Sequence, residues 1–226
     1  MRESHQAIPK STAVTRAPAV KSLLTLSGSH LLNRILDEER PAALIRRLPE
    51  EDFYWIVKRI GEADCLQILR LASEAQWEYL FDLEVWEKDR LDGDRLLSWL
   101  ARVGEADPER AAAWLLGQGD GLFSLLISEK ADVVVKDGDE EADLEGGYFT
   151  LDGRFFIRPI RDEDREAVEG LLRILAKKDH RAYQALLYGL AALIPAEAEE
   201  ELYRLRNGRL AEHGFLPYEE ALAVYS

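Results

Sequence analysis

Apolar residues recur along this chain at the spacing of short helices, and the spacing itself repeats. Sliding Pro41–Gly61 forward by 23 positions (64 − 41) lays Ile45 on Ile68, Leu48 on Leu71, Val57 on Leu80 and Ile60 on Leu83. Arg47 and Glu51 fall on Arg70 and Glu74 in the same shift. A fixed period in the twenties, with helical spacing inside each unit, predicts stacked helix pairs from Ser29 to about Ser128. Phe53, Ile56, Val57 and Ile60 stand at i, i+3, i+4 and i+7, one buried stripe. Pro41 and Pro49 sit where first-turn prolines belong, because the N–H that proline lacks has no partner there. Glu50, Glu51 and Asp52 put negative charge against the positive end of a helix. Gly61 is expected to end that helix in a left-handed conformation. Ser73 and Gln76 form a capping-box pair for the next one. Asp94 is expected to cap a helix that runs through Val103 and stops at Gly104. Asp107-Pro108 opens another, and Gly117, Gly119 and Gly121 break it before Leu122–Ser128.

The pattern changes near Ala131. Val133-Val134-Val135 is short and β-branched, and the acidic run Asp137–Glu145 follows it. Tyr148–Leu151 and Arg154–Arg158 then flank Asp152-Gly153, a pairing that predicts a β-hairpin. A lone hairpin is not stable in water, so this one is expected on a helical layer, with Val133–Val135 as a third strand. Helices resume at Asp162. Val168, Leu171, Leu172 and Leu175 make one stripe, and Asp179 caps a helix with Tyr183, Leu186, Leu187 and Leu190 inward. Pro195 opens a third helix ending near Asn207-Gly208, and Pro217 opens a fourth, Tyr218–Tyr225. The chain stops there without a cap, as expected of part of a longer protein.

The expected fold is mainly α. A flexible basic arm spans 1–28, the helical-hairpin stack 29–130, the acidic loop and β-hairpin 131–160, and a C-terminal helical region 161–226. The arm carries Arg2, Lys10, Arg16 and Lys21 against Glu3 alone over its first 21 residues.

Charge narrows the partners. The 226 residues carry a formal net charge of −14, which weighs against nucleic acid and anionic lipid, both of which need a basic face. It leaves basic proteins or divalent cations. Cys65 is the single cysteine, so no intramolecular disulfide forms and a reducing cytoplasm is the expected location. No apolar run approaches the ~20 residues of a membrane-spanning helix.

Few residues carry candidate chemistry. Asp137-Gly138-Asp139 begins like a loop that offers alternating oxygens around a glycine turn, so Asp137, Asp139 and Glu141 are the candidate ligands for magnesium or calcium. The full calcium-loop spacing is absent. Asp89, Asp92 and Asp94, and likewise Asp162, Glu163, Asp164 and Glu166, lie at helix starts, where carboxylates serve the helix dipole. Gly117-Gln118-Gly119-Asp120-Gly121 lacks the preceding strand and following Lys-Ser/Thr of a phosphate loop. The four histidines are scattered, and no nucleophile–base pair is visible. No catalytic residue and no resident cofactor is expected. All five tryptophans precede residue 128. Three consecutive aromatics, Phe53-Tyr54-Trp55, cannot face one core from a helix, so Tyr54 and Trp55, with Trp86, are the candidate partner-binding anchors.

Leu48-Pro49-Glu50-Glu51, the Ile56/Val57/Ile60 stripe and the repeated short helices resemble the cytoplasmic N-terminal domain of MgtE-type magnesium transporters over about Leu31–Leu116. That resemblance implies a superhelix of helices that takes part in magnesium sensing. Tyr148–Gly153 and Arg209–Phe215 leading into Tyr218-Glu219-Glu220-Ala221 resemble an uncharacterised bacterial family of soluble proteins, which implies no activity. The function expected is a non-enzymatic protein-interaction or regulatory module, with divalent-cation sensing as the alternative.

Overall fold

The computed structural model describes residues 24–117, 119–136 and 146–215. Among them the chain is mainly helical, with eleven α-helices and two small antiparallel sheets. The arm through residue 23, the acidic segment with Asp137, Asp139 and Glu141, and the expected Tyr218–Tyr225 helix lie outside the described residues.

Helix α1 (Gly28–Leu36) leads into short α2 (Pro41–Arg46), long α3 (Glu50–Ile60), short α4 (Leu66–Leu71) and long α5 (Glu74–Glu84). The helix starts recur at 25 and 24 residues (66 − 41 and 74 − 50) rather than the 23 of the apolar match. Ile45 and Ile68 are both fully buried despite this slip. Ser73 and Gln76 make the expected reciprocal capping box. The Gln76 side-chain amide also donates to the carbonyls of Ile45 (2.8 Å) and Leu48 (2.9 Å), which joins the start of α5 to the end of α2. Pro49 is the N-cap of α3 rather than its first turn. Gly61 ends α3 at φ +98° with extended ψ, so the stop is a positive-φ turn outside the left-handed helical basin.

The alternation then stops. Residues β1 (Trp86–Glu87) and β2 (Arg90–Leu91) form a small hairpin turning through Lys88 at φ 60°. Trp86 therefore sits on a strand, not on a helix of a stack. Helix α6 (Gly93–Ala106) follows, capped by Asp92, whose carboxylate accepts from Asp94 N–H (3.1 Å) and Arg95 N–H (3.0 Å). The expected Asp94 cap and Gly104 stop are both displaced. Gly104 lies inside the helix, where an added Cβ would come within 3.3 Å of Leu171 and 3.4 Å of Ile174. Glycine there lets another helix approach, and tertiary packing overrides its weak helix propensity.

Helix α6 is the hub. It contacts α4, α5, α7 (Pro108–Leu115), α8 (Asp120–Lys130) and α9 (Arg165–Lys178). The helices gather around it instead of extending a superhelix, because its Leu96, Leu97, Trp99, Leu100 and Val103 are all buried. One hydrophobic core runs from Leu31 to Leu187.

The second sheet has the order β3-β5-β4, with β3 (Ala131–Val135), β4 (Phe149–Thr150) and β5 (Phe155–Pro159). This is the expected hairpin with Val133–Val135 as a third strand. Its turn is held by Asp152, which accepts from Arg154 N–H and Phe155 N–H (both 3.0 Å), and Gly153 takes φ +73°. Phe155 and Ile157 are buried beneath α9. Asp179 caps α10 (His180–Gly189) as expected. Helix α11 (Pro195–Glu212) continues through Asn207-Gly208, the expected stop. Buried Leu210 keeps the next turn on the body, and Gly214 ends the run at φ +85°.

Candidate functional site

Of the aromatic anchors read from the sequence, Tyr54 reaches α5, Trp55 stands outside it and Trp86 packs elsewhere. Trp55 projects from α3 with 44% of its surface exposed and meets Tyr54 edge-on at 5.4 Å. Tyr54 turns inward from it, edge-on to Tyr79 at 6.3 Å. The Tyr54 hydroxyl donates to Glu84 Oε1 at 2.8 Å. Trp86 does not join this pair: its ring lies 5.8 Å from Tyr203, and the Arg206 guanidinium sits 5.6 Å above it. Trp86 is thus an anchor for this chain's own α11.

Trp77, Trp99 and Trp114 are core residues at 2% exposure or less. The Trp77 indole N–H reaches the Leu69 carbonyl at 2.9 Å, as burial of that polar group requires. Cys65 is likewise a buried hydrophobe, and burial pushes its thiol up to about 11. That is the wrong direction for a nucleophile.

Helix α5 also carries three carboxylates that sequence reasoning missed. Burial pushes the Glu84 carboxyl up, but hydrogen bonds from Lys58 (2.9 Å) and Tyr54, with Arg95 beside it, hold it below the usual range. Asp82 accepts two bonds from Arg209, and Arg209 reaches Glu78 at 3.4 Å on its other side. Burial raises both the Asp82 and Glu78 carboxyls. Tyr79 is raised to about 12, by burial first and then by Glu51 and Glu50. The available signal was the spacing of Glu78 and Asp82, one helical turn apart on a helix otherwise crowded with apolar residues.

The acidic clusters at helix starts are occupied by cations of the protein itself. Asp94 meets Lys130 and Arg161, and Arg161 also binds Asp164 (2.9 Å). Among the described residues no three His, Cys, Asp or Glu side chains gather as a metal site. Asp152 accepts from the Gln184 amide at 3.0 Å, and His180 stands 3.7 Å away. The Thr150 hydroxyl beside them accepts from Gly153 N–H at 2.8 Å, so it serves the same turn.

A family model of unknown function, DUF6178, matches residues 9–226. The chain belongs to DUF6178. No curated protein and no solved structure matches it. The resemblance to the MgtE-type domain therefore has no support from the comparisons, whereas the resemblance to an uncharacterised family stands. No helix among the described residues of this DUF6178 member is long and apolar enough to cross a membrane.

Proposed function

We propose that this DUF6178 chain is a non-enzymatic protein-interaction module, with Trp55 as its anchor for a basic partner segment. The observation that carries this reading is the contrast among the tryptophans. Three are buried in the core and Trp86 is covered by α11, while Trp55 keeps 44% of its surface exposed. A large amphipathic ring at a surface is the residue type that most often dominates binding energy. Its rim is acidic on the N-terminal side, where Glu51 lies one turn before Trp55 on α3 beside Glu50; on the other side Lys58 is drawn to Glu84 and Arg59 to the Leu26 carbonyl. The net charge of −14 favours the same basic partner.

Cation sensing is the weaker reading. A magnesium sensor needs carboxylates that repel one another until a cation arrives. The described clusters are bridged by Arg161, Lys130 and Arg209 instead.

Selection of displayed peptides on the native protein tests the interaction reading. Peptides rich in Lys and Arg around an apolar residue are expected to emerge. Their affinity should fall about thirtyfold in Trp55→Ala, the loss typical of a central anchor, with an unchanged melting temperature. Equal binding by the variant would remove Trp55 from the site.

A further inference from the structure

Strand β3 is the edge of its sheet. Its even-numbered positions face β5. Asp132 is opposite Arg158 and Val134 is opposite Phe156, and the same alternation continues in Lys136 N–H to Arg154 O (2.9 Å) and Ile160 N–H to Lys130 O (2.8 Å). Backbone groups alternate in direction along a strand, so Val133 and Val135 present their N–H and C=O to the other side. Among the described residues no strand pairs there. Natural edges are ordinarily blunted by charged side chains, proline or a bulge; Ala131–Val135 has no proline and no bulge, and its one charge, Asp132, is met by Arg158 of β5. The edge is also flanked by apolar surface. Val133 and Val135 border a groove of about 240 Å³ shared with Leu187, Tyr188, Leu190 and Ala191. Val135 and Tyr188 are 39% and 40% exposed.

We propose that β3 pairs with β3 of a second copy of this chain, antiparallel about a two-fold axis at Val134, joining the two sheets into one. The strand's own sequence selects this occupant and register. Hydrogen bonds form only where outward-facing residues meet outward-facing residues. The registers at Ala131 are removed first: Val133 opposite Ala131 sets Asp132 against Asp132, and Ala131 opposite Ala131 leaves Val133 and Val135 opposite residues 129 and 127 of helix α8. That leaves Val133 opposite Val133, Val133 opposite Val135, or Val135 opposite Val135. The first places Lys130 opposite Lys136 of the second copy, a like-charge pair. The third overlaps the two strands only at Val134–Lys136 and gives Asp132 no charged partner among the described residues. Only Val133 opposite Val135 sets Asp132 against Lys136 of the second copy, and two-fold symmetry makes that pair twice. Asp132, Val134 and Lys136 share one face of β3, where Arg158 meets Asp132 at 3.2 Å and Lys136 lies 4.5 Å over Phe156. On the other face, Val133 of each copy packs beside Val135 of its neighbour above the Leu187–Leu190 groove. This interface uses none of the residues around Trp55, so the two readings fail separately.

Sedimentation velocity of the full chain, from about 1 to 100 μM, tests the proposal. A concentration-dependent monomer–dimer equilibrium is expected. Val135→Pro removes an outward N–H while leaving the ladder to β5 intact, and should be monomeric with unchanged circular dichroism. Lys136→Asp should weaken the dimer about tenfold by facing Asp132 with a like charge, and the charge swap D132K/K136D, made with Arg158→Glu so that position 132 keeps an opposite charge on β5, should restore it. If Val135→Pro fails to fold, the charge swap decides. A wild-type chain that stays monomeric throughout, a folded Val135→Pro that dimerises normally, or a swap that fails to rescue would each overturn the proposal.

Discussion

Asp82 and Arg209 meet as a two-pronged ion pair across 127 residues of sequence. Arg209 Nε donates to Oδ2 at 2.8 Å and Nη2 to Oδ1 at 2.6 Å. Asp82 is almost fully buried, at 2% exposure. Arg206 adds a bond from its Nε to the Asp82 carbonyl at 2.7 Å. Tyr203 lies against Trp86 and His213 against Tyr79, so α11 runs antiparallel along α5, its contacts descending as the sequence ascends. The third helix of the C-terminal region is thereby clamped onto the N-terminal half.

Cutting this pair from either side should not cost the same. Arg209→Met strands a buried carboxylate and should cost about 3–5 kcal/mol. Asp82→Asn leaves a partly exposed guanidinium that still has Glu78 at 3.4 Å, so its cost should be about 1–2 kcal/mol. Urea denaturation at neutral pH measures both, and equal losses would mean that the desolvation argument is wrong. Burial already raises the Asp82 carboxyl, and without Arg209 nothing as close opposes it. A carboxyl whose folded pKa exceeds its unfolded value loses stability as pH rises through the interval between them. The Arg209→Met deficit should therefore be largest near neutrality and shrink as pH falls through the Asp82 range.

Glu84 should give the opposite pH signature. Its folded carboxyl is held below the ordinary 4.5 despite burial, through Lys58, Tyr54 and Arg95. A depressed carboxyl contributes stability that is fully present above its unfolded value and disappears as pH falls through its folded value. Glu84→Gln should therefore be less stable than the wild type at pH 7, and the two curves should draw together as pH falls below the ordinary glutamate value of 4.5. Parallel curves across that range would show that Glu84 gains nothing from ionising in the fold.

These two carboxylates also mark what the sequence could and could not convey. Elements specified by neighbouring residues were legible: the Ser73/Gln76 capping box, the Asp152-Gly153 turn, the Asp179 cap and the Phe53–Ile60 stripe all appear where periodicity and turn chemistry put them. The inward carboxylates of α5 were not, because their partners come from Lys58, Arg95 and Arg209 on other helices. Gly104 read as a stop because a glycine in a helix has two uses, and only the approach of Leu171 and Ile174 distinguishes them. Trp86 was recognisable as an anchor by residue type. That it anchors α11 depended on tertiary packing alone.

The tryptophans offer a separate check on the division between core and surface. Trp99 is 1% exposed in the central helix, and Trp99→Ala should cost about 3–5 kcal/mol. Trp55→Ala should cost less than about 1 kcal/mol, since its outer face is already in water. Chemical denaturation distinguishes them, and a loss at Trp55 as large as that at Trp99 would make it a structural residue.

Two helical glycines should respond to alanine with opposite signs. Gly28 opens α1 against the end of α3, where a Cβ would lie 2.6 Å from the Arg59 carbonyl oxygen and 3.0 Å from that of Ile60. These are backbone atoms and cannot rotate aside, so Gly28→Ala must push α1 off α3. The Arg59 Nε bond to Leu26 O, 2.8 Å long, would be strained with it. Gly170 lies within α9, and nothing stands within 4 Å of its added Cβ. There alanine only removes the conformational entropy that glycine loses on folding, a gain of about 0.5–1 kcal/mol. Thermal unfolding should show Gly170→Ala melting a few degrees higher, at about 2–4 °C per kcal/mol for a chain of this size, and Gly28→Ala melting lower. A rise in both would mean that α1 can move away from α3 at no cost and is only loosely docked.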